Sequence, residues 1–298
     1  MMINAEIQQL KKEKNALILA HNYQMPEIQD VADLVGDSLE LAVKAAVAEE
    51  PVLIVCGVLF MAETAKLLSP EKTVLIPVRD AGCPLADHLT PEMVIEARKK
   101  HPGAAVVVYV NSTAAVKAVA DITCTSANVA AVVRSLPEET ILFGPDANLA
   151  SYVQRQVPDK VIIPLPPEGH CYVHTAFTAE EIAEAKKSGC RVVCHPECQP
   201  SVQESADLIA STGGMVRHAG ESREWFVCTE RDMGYRLKKL YPDRIFHTSP
   251  DAVCRDMKKI TLIDLLRSLR EGVYEVHIPI EIAIPARRAV ERMIAIRG

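Results

Sequence analysis

Apolar and polar positions follow two rhythms along the chain. The runs "ALILAHNYQ", "PVLIVCG", "TVLIPV", "AAVVVYVN", "TILFGPD", "KVIIPLP", "RVVCHPE", "WFVCTE" and "RIFHTS" have the length and β-branched content of short strands. Between them, "LELAVKAAVAEE", "TPEMVIEARKKH", "NLASYVQRQV" and "TAEEIAEAKKSG" carry helical patterns. Thr90 with Pro91, and Thr178 with Glu181, read as helix starts, a capping side chain followed by Pro in the first turn or by a capping-box Glu. The opening "MMINAEIQQLKKEKN" reads as an amphipathic helix, and the tail "TLIDLLRSLREG" with "PARRAVERMIAIRG" as helices. This alternation predicts an α/β fold with parallel sheets.

The polar residues at the strand ends repeat. His21, Ser38, Gly57 and Cys83 are followed by Tyr109, Ser126, Gly144 and Cys171, and then by His195, Ser211, Thr229 and Cys254. Each cysteine stands about 60 positions after the first mark of its set, the signature of an internal repeat. Three pseudo-symmetric α/β units are therefore expected: residues 1–86 (His21 to Cys83), 87–174 (Tyr109 to Cys171) and 175–260 (His195 to Cys254), with 261–298 a helical tail packing back on a domain. Ligands of open parallel sheets bind beyond the carboxyl ends of the strands, so three such units around one axis would share a central active-site cavity.

That arrangement gives a reason for a thiol in the Pro/Gly loop "PLPPEGHCYVH". Cys171 has counterparts in "RDAGCPLA" (Cys83) and "PDAVCRDM" (Cys254). Three converging thiolates could hold a zinc ion with an open position, or an iron–sulfur cluster with one iron left exchangeable; they could also be unrelated core cysteines. The closely spaced Cys190, Cys194 and Cys198 of "GCRVVCHPEC" lie in or beside a strand, where they do not present three thiols to one ion.

Composition narrows the partners. A net charge of -6 and a pI near 5.9 give no reason to expect nucleic acid. No apolar run reaches the roughly 18 residues that span a bilayer, so a cytoplasmic chain acting on small molecules is expected, with no membrane partner. Nine cysteines, an odd number in a chain this long, favour reduced thiols or metal ligands over disulfides. Neither a G-x-G-x-x-G nor a P-loop lysine motif is present.

Two kinds of polar mark remain. Ser38 in "GDSLELA", Ser126 in "CTSAN", and Ser211 and Thr212 in "STGGM" stand near helix N-termini, which offer free N–H groups to phosphate or carboxylate; plain capping is the alternative. His21, Tyr23, Tyr109, Asn111, His174, His195 and Glu197 supply candidate acids, bases and hydrogen-bonding groups around the same cavity.

The motifs "LAHNYQ", "VGDSLELA", "FMAETAK", "YVNSTA", "CTSAN", "FGPDANL", "GHCYVH", "HPEC", "STGGM" and "CRDMKKITL" closely resemble the quinolinate synthase family, in order and over nearly the whole chain. The resemblance implies three α/β domains around one [4Fe-4S] cluster held by Cys83, Cys171 and Cys254. It implies condensation of iminoaspartate with dihydroxyacetone phosphate to quinolinate, with loss of phosphate and two waters, in de novo NAD biosynthesis. The open iron would serve as Lewis acid, and an aspartate oxidase or dehydrogenase would supply the imine. Carried over by motif, His21, Ser38, Tyr109, Asn111, Ser126, His195 and Thr212 would bind substrate, Tyr23 would help close the site, and Glu197 would act as general base with His195 positioning it or a carboxylate.

Two departures accompany the resemblance. No cysteine follows Cys254, so the C-terminal CxxCxxC segment of some relatives is missing, and "AGCPLAD" differs from the commoner surroundings of the first cysteine. Two other function classes stay open on the residues alone: an iron–sulfur electron carrier or sensor, which would want a fourth ligand, and a zinc-dependent hydrolase, which would be colourless and stable in air.

Overall fold

The computed structural model describes residues 2–296; Met1 of the predicted opening helix and residues 297–298 of the predicted tail lie outside them. The described residues form three parallel four-stranded sheets. The first comprises β1 (Ala16–His21), β2 (Leu34–Gly36), β3 (Val52–Cys56) and β4 (Thr73–Leu75). The second comprises β5 (Ala105–Tyr109), β6 (Ile122–Cys124), β7 (Thr140–Gly144) and β8 (Val161–Pro164). The third comprises β9 (Arg191–Cys194), β10 (Leu208–Ile209), β11 (Glu224–Cys228) and β12 (Ile245–Thr248).

All three sheets have one order, β2-β1-β3-β4 and its equivalents β6-β5-β7-β8 and β10-β9-β11-β12. The chain leaves the first strand toward one neighbour and returns on its other side, and that reversal opens a crevice at the strand's carboxyl end. His21 ends β1, Tyr109 ends β5 and His195 directly follows β9, so the first mark of each set stands at such a crevice.

All nine predicted runs form strands, and β2, β6 and β10 complete the sheets with only two or three residues each. One polar device fixes where each short strand begins. Asp33, Asp121 and Asp207 accept the backbone N–H of Ile18, Val106 and Val192 at 2.8, 2.7 and 2.8 Å. Their own N–H groups bond back to the carbonyls of the same three residues. Each Asp also pairs with a base from the helix before its sheet: Lys11, Arg98 and Lys186 respectively.

Local capping explains the helices that follow. Asp37 caps the helix Ser38–Val47 in a capping box with Glu40, which leaves the Ser38 hydroxyl free. Thr90 caps Pro91–Lys100, and Thr178 with Glu181 forms a capping box at Ala179–Lys187.

Beyond the third sheet, Leu262–Glu271 starts at a Thr261–Asp264 capping box and stops at Gly272, whose φ of 70° is a conformation that favours glycine. Residues 274–276 then run antiparallel beside β4 through backbone bonds to Val74 and Ile76. The last helix, Ile280–Ile294, packs against Ala114–Ala118, β6 and Leu59–Leu68. Asn128 Nδ2 fastens its end by donating to the carbonyls of Met293 and Ile296 at 3.2 and 2.9 Å. No helix among the described residues is long and apolar enough to cross a membrane.

Candidate active site

The turns that leave the central strands are braced alike. Gln29 Nε2 donates to the carbonyls of Asn22 and Gln24, and Gln203 Nε2 to those of Pro196 and Cys198. Between the two in chain order, the fully buried Lys117 donates its Nζ to Ser112 O at 2.5 Å. These donors satisfy carbonyls that the turns leave without strand partners.

The two histidines at the strand ends share one geometry. His21 Nδ1 accepts the N–H of Tyr23 at 3.2 Å, and His195 Nδ1 accepts the N–H of Glu197 at 3.3 Å. Burial drives both imidazoles down to about 3, so both are neutral at pH 7. A neutral ring that accepts at Nδ1 carries its hydrogen on Nε2. Both rings line the cavity, and His195 Nε2 reaches Ser126 Oγ at 3.2 Å.

Glu197, 2 % exposed, sits among groups from two units. Tyr109 Oη donates to its Oε1 at 2.6 Å, and His174 Nδ1 lies 2.8 Å from its Oε2. Burial by itself would raise this carboxyl, but His174 and the Tyr109 hydroxyl outweigh it and hold Glu197 below the usual carboxylate range. Burial, followed by the Glu197 charge, pushes the Tyr109 and Tyr23 phenols up, so both remain donors. Tyr23 crosses from the first unit to share a 2.5 Å hydrogen bond with Thr229, which also meets His174 Nε2 at 2.8 Å.

Ser38, Ser126 and Thr212 line the same cavity. Thr212 Oγ1 accepts from Asn22 Nδ2 at 3.0 Å, which ties the first unit to the third. Asn111 also lines the cavity, and its amide oxygen is buried without a partner. Ser211 does not line the cavity: its hydroxyl accepts from Gly214 N–H and caps the helix Thr212–His218. His174 begins a short 3-10 turn in the loop after β8.

Cys83, Cys171 and Cys254 also line this cavity, one from each unit. Burial first, and then the neighbouring thiols and carboxylates, pushes all three up; thiols so placed gain from a cation. They do not form a set whose sulfurs all lie within 4.8 Å of one another; the cavity trio that does is Cys171, His174 and Glu197. Two sulfurs on a single zinc are at most about 4.6 Å apart, twice the Zn–S bond. Three thiols in one cavity are a donor set compatible with a metal cluster.

The other closely spaced cysteines divide. Cys194 and Cys198 are fully buried beside Cys228, whereas Cys190 lies before β9. All nine cysteines are free.

Several residues not singled out from the sequence support the site. Glu230, fully buried, receives Lys258 Nζ at 2.8 Å and the N–H of Cys254 at 3.3 Å, so it braces the third cysteine loop. Lys258 also reaches Asp232 at 2.6 Å and the Tyr23 carbonyl at 2.5 Å. Asp37 and Thr125 line the cavity beside Ser38 and Ser126. The acid of "CTERDMG" after an apolar strand was the available signal for Glu230; nothing local marks its pairing with Lys258.

Comparison with known proteins agrees over the full length. The family described as Quinolinate synthetase A protein matches residues 5–295. A quinolinate synthase of Pyrococcus furiosus is 57% identical over 295 residues, 98% of this chain and 97% of the relative. Relatives of the same name from Methanothermobacter thermautotrophicus and Clostridium kluyveri are 51% and 46% identical, over 99% and 98% of this chain and 98% and 97% of their own.

Proposed function

The chain belongs to the quinolinate synthase family, and from that premise we propose that it condenses iminoaspartate with dihydroxyacetone phosphate to give quinolinate, phosphate and two waters. One observation carries the reading. Thiols from three equivalent positions share a single cavity with neutral histidine donors, a buried carboxylate and three hydroxyls beside helix N-termini.

Cys83, Cys171 and Cys254 would hold a [4Fe-4S] cluster, three thiols converging on one cavity. Bound there, the cluster would supply a Lewis-acidic iron for a substrate oxygen or nitrogen.

The remaining roles belong to the chain's own groups. Iminoaspartate carries two carboxylates and the triose a phosphate, so the site must satisfy several anionic groups. The Nε2–H groups of His21 and His195 are fixed donors that need no protonation to act. Ser38, Ser126 and Thr212 donate near helix N-termini, where anions are favoured. Asn111 offers its free amide oxygen as acceptor to a substrate hydroxyl or N–H.

Isomerisation and dehydration require removal of carbon-bound protons. Glu197 is a carboxylate in a water-poor cavity, oriented by Tyr109 and His174, and serves as general base. Tyr23, joined to Thr229 and His174, closes one wall and excludes water. Iminoaspartate hydrolyses readily, so an oxidase or dehydrogenase acting on aspartate is the partner that supplies it.

The Cys171–His174–Glu197 trio favours a second reading, a single zinc ion serving hydrolysis. It would leave Cys83 and Cys254 without a role. Anaerobic reconstitution separates the two: the proposal expects a brown chain with about four irons that forms quinolinate, whereas a colourless zinc protein inactive toward these substrates would overturn it.

A further inference from the structure

The third sheet carries another group of metal-binding side chains at the end away from the cavity. Cys190 precedes β9, Glu224 opens β11 and His247 lies in β12, and one donor atom from each falls within 4.8 Å of the other two. Strand pairing fixes the approach. Trp225 stands beside Arg191 and Phe226 beside His247, so the amino ends of β9 and β11 and the edge strand β12 meet at one point. His247 Nε2 lies 2.6 Å from Glu224 Oε1, and Cys190 is 9 % exposed.

The surroundings favour a cation. The three residues border a cavity of about 410 Å³ whose wall also carries Glu181 and Glu184 and, among the described residues, no lysine or arginine. Arg191, the nearest base in sequence, turns instead to Glu221 and to the Trp225 ring. A sulfur, an imidazole nitrogen and a carboxylate oxygen make a borderline-soft donor set, suited to zinc rather than to magnesium or calcium.

We propose that Cys190, Glu224 and His247 form a mononuclear zinc site, with the adjoining cavity leaving the fourth coordination position to water. Binding replaces the thiol proton of Cys190, which is released to solvent, and the ion takes the place of the hydrogen between His247 and Glu224, so that the ligating imidazole carries its one hydrogen on Nδ1. The site ties the edge strand β12 and the turn entering β9 to β11. Its contribution is therefore to the stability of the third sheet, and it stands independently of the reaction proposed above.

The test is zinc chloride titrated by calorimetry into the reduced full chain, in parallel with Cys190→Ser and His247→Ala. Zinc taken up by the cavity thiols is common to all three proteins and cancels in the comparison. The wild type is expected to bind one more zinc than either variant, and its thermal midpoint to rise with zinc where theirs do not. Circular dichroism without zinc confirms that the variants are folded, and Glu224→Gln, which keeps the side-chain shape, should weaken the same binding step. Equal zinc uptake by the wild type and a folded His247→Ala chain, or no uptake by the wild type, would overturn the site.

Discussion

Tyr109 and Glu197, 88 residues apart, share a buried 2.6 Å hydrogen bond that runs from the second sheet to the third. Neither residue is explained by its own unit. Tyr109 ends a strand whose apolar neighbours are satisfied without its hydroxyl, and Glu197 would be costly in the core alone. The carboxylate is tolerated because a donor from another unit meets it.

Glu197→Gln keeps the shape and removes the base. With iron content matched to the wild type, kcat is expected to fall by about 10²–10⁴, the usual contribution of a general base, while KM changes little. Unaltered turnover would remove Glu197 from the proton transfer.

Tyr109→Phe deletes one donor to that carboxylate but leaves His174 in place. The loss of kcat should be smaller than for Glu197→Gln. Because the two act as one unit, the double variant should be no worse than Glu197→Gln alone, a non-additivity that a double-mutant cycle reads directly. Strict additivity would mean that the phenol acts on substrate separately.

Cys171→Ala and Cys194→Ala separate cavity thiols from core thiols. The first should abolish both iron–sulfur absorbance and product formation; the second, a buried residue of the third unit's core, should retain both. A four-iron cluster in folded Cys171→Ala would contradict the ligand assignment.

Asp33, Asp121 and Asp207 each accept one strand N–H. Replacing any one by Ala should cost about 1–2 kcal/mol, mainly the lost acceptor, since exposed ion pairs such as Lys186–Asp207 contribute little. The three sites are separate, so the losses should add in urea unfolding. A neutral effect at all three would show that the repeated bond is incidental.

β1, β3, β5 and β7 were legible because four or more buried residues in a row leave a pattern. β2, β6 and β10 were not, since "LVG", "ITC" and "LI" are too short for any period to register. The Asp that opens each of them reads as loop polarity until its bond to a strand 15 residues earlier is seen. At the cavity, residues on strand ends announced themselves through the repeat. Ser211 marks the limit of that signal, because a hydroxyl that caps a helix and one that faces a ligand look alike in sequence. Glu230 and Lys258 were silent because their pairing depends on how an irregular loop folds back onto a strand end.

The central claim is that three thiols and the groups facing them make one condensing site. Its most direct measurement is an anaerobic assay of the iron-reconstituted chain with dihydroxyacetone phosphate and iminoaspartate generated in situ, with quinolinate separated by chromatography. The account predicts quinolinate from the cluster-loaded chain and none from the cluster-free one. A fully loaded, folded chain that makes no quinolinate would contradict it.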